Sequence, residues 1–365
     1  MYVTDKMLPA LPAPSESKGL IHWLKTNLFS SPINALLTIV SLYLLYIILP
    51  PAINWTFIDA DWFADTREGC SREGACWAYI ANRFGQTIYG FYPPEEQWRV
   101  NTAFLALVLL CVPLFVQSFT KKAWLGAFIL LIFPFIAYAL IHGGYFGLEV
   151  VNTDKWGGLM LTLIISIVGI TLALPIGILL ALGRRSHMPI VKSVSVIFIE
   201  FWRGVPLITV LFMSSVMLPL FLPEGSDFDK LARAMIGIIL FQAAYVAEVV
   251  RGGLQAIPKG QYEAAVAMGL TYWKSMFLVI LPQALKLVIP GLVNTFIALF
   301  KDTTLVLIIG LFDLLGMVEN VLGSDSNWLG FHTEGLVYAG FIFWLFCFGM
   351  SRYSMALERK LHTGH

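Results

Sequence analysis

Ionisable residues interrupt the long apolar runs of this chain at three places, and their types and spacing could do chemistry. They are Glu200 with Arg203, Glu248 with Arg251, and Lys301 with Asp302. A charge inside a membrane is costly, so each pair is a candidate for function. A carboxylate and a cation beside a water-filled path can bind the two charged ends of a zwitterion, which is recognition rather than catalysis.

The apolar run that contains Lys301 and Asp302 is predicted to break there, with Pro290 preceding the two charges. A broken membrane helix exposes backbone groups, which then need a water-lined cavity or protein partners. Helix ends and polar side chains at such a break can hold an ammonium and a carboxylate group. The residues predicted to line the path or its gate are Asn294, Lys301, Asp302, Thr303, Thr304 and Glu248. A simple pairing of Lys301 with Asp302 is the alternative.

Glu200 and Arg203 stand three residues apart, so a helix places them on one face. They are predicted to form an ion pair at the inner membrane interface. There the arginine lies along apolar surface and keeps its charged end in water. Glu248 and Arg251 repeat the same spacing near the end of another apolar run.

No catalytic or metal-binding motif is found in the sequence. Residues 269–275 faintly resemble a P-loop, but Trp273 stands where the phosphate-binding backbone requires glycine. There is no HExxH, CxxC or GxSxG motif, and the histidines lack metal-ligand spacing. The sequence therefore predicts no catalytic residue, no metal ligand and no cofactor in this chain. Any ATP hydrolysis must take place on another polypeptide.

The elements that must position these residues are membrane helices. Hydrophobic residues make up 58% of the chain and charged residues 13%, with a mean hydropathy of +0.76. A soluble domain is nearer to half apolar and a quarter charged. We therefore expect an all-α polytopic membrane protein with about eight transmembrane helices, and a net charge of +1 gives no indication of nucleic-acid binding. Six of the expected spans are residues 33–53, 102–119, 124–141, 157–182, 234–250 and 336–355. A segment from residue 190 is expected to lead into a seventh span that ends near 222. The run 285–321 is too long for one straight span, so part of it should break or lie at an interface.

Basic residues indicate how the spans are oriented. With the N-terminus inside, the inside segments hold most of the basic residues, as the positive-inside rule requires. These are Lys6, Lys18, Lys25, Lys121, Lys122, Arg184, Arg185, Lys192, Arg251, Lys259, Lys274, Arg359 and Lys360. Both termini and the loop 255–285 are thus predicted to be cytoplasmic, and the long polar loop 54–99 to be periplasmic.

Cys70 and Cys76 lie in the loop 54–99 with five residues between them. If this loop faces an oxidising compartment, a disulfide can join them. Two free thiols are the alternative. Metal binding is not expected, because two soft ligands without a nearby histidine do not make a site.

The polar loop 255–285 lies between two apolar runs. Pro258 can begin a helix, because its missing N–H would be unpaired there in any case. Gly269 can end that helix, since glycine enters the left-handed region at little cost. Thr271 can cap a second short helix. The loop is therefore predicted to fold as a helix, a sharp bend and a second helix.

The same loop resembles the EAA motif of ABC-importer permeases, which is Glu-Ala-Ala, three residues, Gly, nine residues, Ile, one residue, Leu-Pro. The matching residues are Glu263, Ala264, Ala265, Gly269, Leu281 and Pro282, with Val279 in place of the usual isoleucine. Residues 248–253, 259–261 and 301–303 are similar to the polar amino-acid importers of the histidine/glutamine type. The resemblance implies that Glu263, Ala264, Ala265 and Gly269 couple this chain to a cytoplasmic ATPase subunit.

The resemblance also implies an organisation and a set of partners. Residues 150–357 correspond to the five-helix core of a type I importer permease, with the coupling loop at 255–285, and 358–365 to a cytoplasmic tail. Residues 1–149 add a tail, three spans and the large loop, an extension that resembles general L-amino-acid and glutamate/glutamine/aspartate permeases of Gram-negative bacteria. The implied partners are a second homologous permease in a heterodimer, an ATPase dimer that binds ATP and magnesium, a periplasmic amino-acid-binding protein and membrane lipid.

The sequence thus predicts the permease subunit of an ATP-driven importer of L-amino acids, of broad or polar and acidic specificity, in the bacterial inner membrane. An ion-coupled secondary transporter is the alternative, and it would be expected to show inverted repeats and acidic or histidine relays inside the spans. A non-transport membrane assembly or sensor protein is a third possibility. Co-purification with an ATPase and a second permease would distinguish the three.

Overall fold

The computed structural model describes residues 19–116, 119–145, 147–221, 223 and 228–361. Across these residues the named elements are all helical, and the only extended pairings are isolated β-bridges. The predicted all-α class is therefore confirmed. Lys6 and Lys18, and residues 362–365 of the predicted cytoplasmic tail, lie outside the described residues.

The first helices precede residue 150. They are α1 (Leu20–Asn27), α2 (Pro32–Ile53), α3 (Trp77–Asn82), α4 (Phe84–Tyr89), α5 (Gln97–Phe115), α6 (Lys122–Leu131) and α7 (Phe133–His142). Helix α2 begins at Pro32 because Ser31 caps it. The Ser31 hydroxyl accepts a hydrogen bond from the Asn34 amide at 3.2 Å. A proline at the first helical position lacks only an N–H that would be unpaired there.

The remaining helices form the larger part of the chain. They are α8 (Gly158–Arg184), α9 (Pro189–Gly204), α10 (Leu207–Phe212), α11 (Lys230–Ala256), α12 (Lys259–Ala267), α13 (Tyr272–Ser275), α14 (Leu281–Asp302), α15 (Leu314–Gly316) and α16 (His332–Leu361). Helix α11 begins at Lys230 because the Asp229 carboxylate accepts a hydrogen bond from the Ala232 amide at 2.7 Å. A π-helical turn, Met276–Ile280, joins α13 to α14.

Seven helical segments of the described chain are long and apolar enough to cross a membrane, and a bent pair makes an eighth. The expectation of about eight spans is therefore confirmed. The seven segments are Pro32–Ile58, Pro94–Phe115, Lys122–His142, Gly158–Arg184, Lys230–Ala256, Tyr272–Ile309 and His332–Leu361.

One expected span is bent in the structure, and another has different bounds. The segment from residue 190 and the span that ends near 222 are Pro189–Gly204 and Leu207–Phe221, which meet at an angle of 101°. The bend falls at Val205, whose backbone is extended because the residue before a proline avoids the helical region. The expected span 285–321 instead covers Tyr272–Ile309, since the helix continues through Pro282 and ends at Gly310 in a left-handed conformation.

The chain divides into two compact units. The first comprises Met1–Ala64 and Glu68–Trp77, and the second comprises Asp65–Arg67 and Ala78–His365. Residues 78–149, which the sequence grouped with the N-terminal extension, therefore belong to the same unit as residues 150–357.

The first unit is closed by a disulfide between Cys70 and Cys76. Trp77 lies between Trp55 and Trp62, with ring centroids 6.3 and 6.2 Å away. The indole N–H of Trp77 donates to the Thr56 carbonyl at 2.7 Å. These contacts order the residues that follow the apolar helix α2.

The second unit is built around α8, α11 and α14, which pack closely through small residues. A Cβ atom on Gly253 of α11 would lie 2.7 Å from the Ala284 carbonyl oxygen of α14. A Cβ atom on Gly177 of α8 would meet Val246 of α11 at 2.5 Å. Small residues at such contacts let membrane helices approach each other closely.

Three segments of the second unit meet backbone to backbone at the start of α8. The Gly158 amide donates to the Phe312 carbonyl at 2.9 Å, and the Phe91 amide donates to the Lys155 carbonyl at 3.1 Å. Gly158 has φ +62°, and a Cβ atom there would lie 2.4 Å from the Thr87 carbonyl oxygen. We call this contact of residues 84–92, 155–158 and 312–316 the glycine junction.

An ion pair and an aromatic cluster lie near the glycine junction. Arg83 pairs with Asp325, and Tyr79 packs against Trp328 and Phe331 at centroid distances of 5.9 and 6.5 Å. Burial and the nearby Asp325 carboxylate raise the pKa of Tyr79 to about 12. Although burial opposes it, hydrogen bonds from the Asn327 amide and Arg83 hold the pKa of Asp325 below its usual value. Residues 78–92 are thus fastened to residues 312–331 by charge as well as by packing.

Candidate functional site

Five charged residues come together where α8, α9 and α11 approach one another. We call this group the charge cluster, and its members are Arg184, Glu200, Arg203, Glu248 and Arg251. The Glu248 carboxylate is its centre, because it lies 2.9 Å from Arg184, 3.5 Å from Arg203 and 2.9 Å from Arg251. The Glu248 side chain is only 16% exposed.

The structure pairs Glu200 and Arg203 with other partners than the sequence predicted. Glu200 pairs with Arg184 at 2.8 Å, and Arg203 pairs with Glu248. The Arg203 guanidinium also lies 5.7 Å from the centre of the Tyr245 ring. The two residues are therefore brought together through α8 and α11 rather than by a direct contact along α9. Their spacing could not reveal this, because both partners come from other helices.

The predicted path residues on α14 do not share one environment. Asn294 and Lys301 are exposed on the surface of this chain, and Asp302 is half-buried. Thr303 is fully buried, and its hydroxyl donates to the Phe300 carbonyl at 2.9 Å. The Thr303 hydroxyl is thus used within its own helix turn, and a role for Thr303 in lining the path or its gate stays a prediction.

Thr304 and Glu248 complete the predicted path residues. The Thr304 hydroxyl donates to the Lys301 carbonyl at 2.9 Å. At this point the helix changes from α-helical to 3-10 geometry, over Thr303–Ile309. The predicted break is therefore a change of helix type rather than a gap. Glu248 lies in the charge cluster.

Helix α12 and the turn after it have the shape that the loop sequence predicted. The helix covers Lys259–Ala267, and Gly269 follows with φ +70°. The Leu270 amide donates to the Ala265 carbonyl at 3.2 Å, and the Gly269 amide donates to the Val266 carbonyl at 2.9 Å. This pair of hydrogen bonds is a Schellman motif, which requires a left-handed residue where Gly269 stands. Thr271 occupies the next N-cap position, although its side chain makes no capping bond.

The side chains of α12 divide into an exposed face and a buried face. Glu263 and Ala264 are exposed, whereas Ala265 is 3% exposed and packs within the chain. Ala265 therefore cannot offer its side chain to a partner, because helical spacing turns it inward beside Tyr262. Val266 and Met268 are 71% and 79% exposed. These two apolar residues, which the motif does not include, extend the exposed surface that contains Glu263.

Arg185, which the sequence analysis used only for orientation, binds α12 directly. Its guanidinium donates to the Leu254 carbonyl at 2.6 Å and to the Tyr262 hydroxyl at 2.9 Å. It also lies 5.5 Å from the centre of the Tyr262 ring. The Tyr262 hydroxyl donates in turn to the Leu254 carbonyl at 3.0 Å. One side chain thus joins the ends of α8 and α11 to α12.

Nothing in the described part of the chain has the composition of a metal site, since no three of its histidine, cysteine and acidic side chains form a suitable group. The charge cluster and the Arg185 contact are held by ion pairs and hydrogen bonds, whereas Asn294 and Lys301 are exposed.

Comparison with known proteins identifies a family whose members this chain resembles. The model of the binding-protein-dependent transport system inner membrane components matches residues 173–363. The inner membrane amino-acid ABC transporter permease protein YhdY of Escherichia coli is 59% identical over 98% of this chain and 97% of its own. The glutamate/glutamine/aspartate/asparagine transport system permease protein BztC of Rhodobacter capsulatus is 41% identical over 100% and 99% of the two chains.

A solved structure shares part of this fold. The crystal structure of an amino acid ABC transporter with histidines aligns with a TM-score of 0.50 and 30% identity. The alignment covers 56% of this chain and 92% of the other. Much of this chain therefore has no counterpart in that structure.

Proposed function

Because this chain belongs to the binding-protein-dependent transport system inner membrane components, and is the permease of an amino-acid ABC importer, we propose that it forms the translocation path for polar and acidic L-amino acids. It is a multi-pass inner-membrane transport subunit and not an enzyme. The single observation that carries the substrate class is the full-length similarity to BztC, whose name specifies glutamate, glutamine, aspartate and asparagine.

Helix α12 is the proposed coupling helix. It presents Glu263, Ala264, Val266 and Met268 to solvent on a short helix whose end is fixed by the Schellman turn at Gly269. Exposed apolar residues beside a carboxylate favour a protein contact over bulk water. The partner that fits is the ATPase subunit, which binds ATP and magnesium and moves α12 as a rigid body.

The proposed path runs beside α14 and the charge cluster. Asn294 and Lys301 are polar and exposed on a span whose other exposed residues are mostly apolar. A lysine facing lipid would be costly, so Lys301 is expected to face water or a second subunit. Asp302 at the end of α14, Thr304 in the 3-10 turn that follows and Glu248 on α11 are also proposed to contribute to the path or its gate.

The complex is proposed to contain a second, homologous permease as a heterodimer, an ATPase dimer and a periplasmic amino-acid-binding protein. The family description itself specifies dependence on a binding protein. Residues 150–357 are proposed as the transport core, since 56% of this chain suffices to cover nearly all of the similar solved permease. Residues 1–149 are proposed as an added part.

The orientation proposed from the basic residues places both termini and α12 in the cytoplasm of a Gram-negative cell. The segment 54–99, including the disulfide of Cys70 and Cys76, then faces the oxidising periplasm. The charges near α12, which include Lys259 and Lys274, agree with this placement.

Reconstituted uptake tests the function. The complex of this chain, its second permease and the ATPase is placed in proteoliposomes with ATP inside and the binding protein outside. We expect ATP-dependent accumulation of labelled L-glutamate, L-glutamine, L-aspartate and L-asparagine. Equal accumulation driven by an ion gradient in the absence of nucleotide would instead support the ion-coupled transporter, which none of the comparisons favours.

A further inference from the structure

Two consecutive arginines at the end of α8 reach in different directions. Arg184 contacts the charge cluster through Glu200 and Glu248, at 2.8 and 2.9 Å. Arg185 contacts α12 through Tyr262 at 2.9 Å. The charge cluster and the contact with α12 are therefore joined through two residues that are adjacent in the chain.

The contact made by Arg185 is closed on itself. The guanidinium, the Tyr262 hydroxyl and the Leu254 carbonyl oxygen are mutually hydrogen bonded, with distances of 2.6, 2.9 and 3.0 Å. The planar guanidinium can keep several donors in fixed directions, which the ammonium group of lysine cannot do. Movement of α12 therefore has a defined point of attachment on α8 and α11.

The Arg185 contact lies at the edge of a groove, so hydrogen bonds rather than side-chain packing join α12 to α8 there. A groove of about 750 Å³ opens beside it, between the end of α8, the start of α9 and the segment from α12 to α13. Its lining includes Arg185, Tyr262, Leu182 and Val266. Side-chain packing is thus incomplete on this side of α12, and polar contacts bridge it to α8.

On the premise that this chain is a permease driven by a partner ATPase, we propose that Arg184 and Arg185 form the linkage between the coupling helix and the charge cluster. Displacement of α12 moves Arg185 through Tyr262. Because Arg184 is the adjacent residue on the same helix, its contacts with Glu200 and Glu248 must shift with it. The charge cluster in turn holds α9 and α11, so α8, α9 and α11 respond together.

Spatial connection alone does not establish coupling, so the test measures coupling directly. ATP hydrolysis and uptake of an equimolar mixture of labelled L-glutamate, L-glutamine, L-aspartate and L-asparagine are measured in the same proteoliposomes of the full complex. The variants are Arg185→Gln, Tyr262→Phe, the double variant and Arg184→Gln. Tyr272→Phe is the matched control, because it removes a phenolic oxygen from the same loop at a ring that is 51% exposed.

The linkage predicts a change in the ratio of ATP hydrolysed to amino acid transported. Arg185→Gln and Arg184→Gln are expected to raise that ratio about fivefold or more, while hydrolysis stays within about twofold of the unmodified complex. The double variant should raise the ratio no further than Arg185→Gln does, since both changes break the same Arg185–Tyr262 hydrogen bond between α8 and α12. Tyr272→Phe should leave the ratio unchanged.

Three results would overturn the linkage. The first is a proportional loss of hydrolysis and uptake in Arg185→Gln, which is the effect of a merely structural residue. The second is strict additivity of Arg185→Gln and Tyr262→Phe. If Arg185→Gln prevents assembly, an unchanged ratio in the milder Tyr262→Phe is the third. Failure of the unmodified complex to use ATP for uptake would refute the proposed function itself, and is a separate observation.

Discussion

At the scale of single residues, the Glu248 carboxylate holds the charge cluster together. It lies within 3.5 Å of Arg184, Arg203 and Arg251, and its side chain is mostly shielded from water. Removing one partner of a shielded ion pair is far more costly than removing an exposed one, because a charge is left without compensation. Three arginines from α8, α9 and α11 share this one carboxylate. Positions of the helices that separate it from them are therefore unfavourable, and only a few arrangements of the three helices keep the charges paired.

Lys301 is the residue at which the path proposal can be tested most sharply. Lys301→Met keeps an unbranched side chain of nearly the same length and removes the charge, which is exposed on α14. Loss of a charged contact to a transported carboxylate should lower uptake about tenfold, the equivalent of one charge-assisted hydrogen bond. The measurement is initial uptake of labelled L-glutamate at several concentrations in reconstituted complexes.

Thr303→Val is the matched control two residues away. The Thr303 hydroxyl is fully buried and bonds within its own helix turn, so its loss should leave uptake within about twofold. If Thr303→Val impairs uptake as severely as Lys301→Met, the whole 301–304 segment acts as one structural unit. The assignment of a specific path role to Lys301 would then fail.

The sequence predicted the charged residues of this region but not their partners. The spacing of Glu248 and Arg251 was sufficient to suggest a local contact, and the two are paired at 2.9 Å. Glu200 and Arg203 have the same spacing, yet each bonds across to another helix. Local spacing shows which residues share a face, whereas the choice of partner depends on how helices cross. A single sequence does not contain that information.

At the scale of elements, the Schellman turn after α12 fixes the end of this helix, which is the proposed coupling helix. Gly269 has φ +70°, and no atom lies within 4 Å of the position that a Cβ would take. Space is therefore not the constraint at this position. The backbone conformation alone selects glycine, because a side chain in the left-handed region costs about 1–2 kcal/mol.

Replacement of Gly269 separates coupling from insertion. Gly269→Leu should lower ATP-dependent uptake severalfold while the amount of protein in the membrane stays unchanged, since the spans on either side are not altered. Gly269→Asn is the control, because asparagine tolerates the left-handed conformation better than leucine does. Uptake and membrane content are measured side by side. Normal uptake by Gly269→Leu would contradict the coupling role of α12.

Elements of uniform apolar composition were predicted well, and elements with internal breaks were not. The expected spans 33–53 and 157–182 agree closely with Pro32–Ile53 and Gly158–Arg184. A segment from residue 190 was expected to lead into a span ending near 222, but the 101° bend between Pro189–Gly204 and Leu207–Phe221 was not predicted, although Pro206 favours an extended Val205. The predicted start at residue 285 is too late, because the π-helical turn Met276–Ile280 continues directly into α14.

At the scale of the whole molecule, part of the N-terminal extension shares a compact unit with the proposed transport core. Residues 78–149 belong to the same compact unit as the core helices, and buried residues of α5 and α7 join its main apolar cluster. The sequence grouped residues 1–149 together as an extension, because the five-helix core that the resemblance implies begins near residue 150. Apolar surface and the glycine junction bind the two parts together, and neither contact has a local sequence signature.

The glycine junction gives a prediction for the stability of this unit. Gly158→Ala places a Cβ 2.4 Å from the Thr87 carbonyl oxygen in a backbone conformation of φ +62°. The clash and the strained backbone together should cost roughly 3 kcal/mol. That loss should lower the thermal unfolding midpoint of the detergent-solubilised protein by several degrees, because each kcal/mol is equivalent to a few degrees in a chain of this size.

Gly147→Ala isolates the part of this loss that comes from the contact between segments. Gly147 has φ +78°, and no atom lies within 4 Å of the place that an alanine methyl group would occupy, so alanine there suffers backbone strain without a clash. Its unfolding midpoint should therefore fall by less than half as much as that of Gly158→Ala. Equal shifts in the two variants would mean that residues 84–92 can move away from a Cβ atom on residue 158 with no loss of stability. The extension would then rest on the core without being fastened to it at this point.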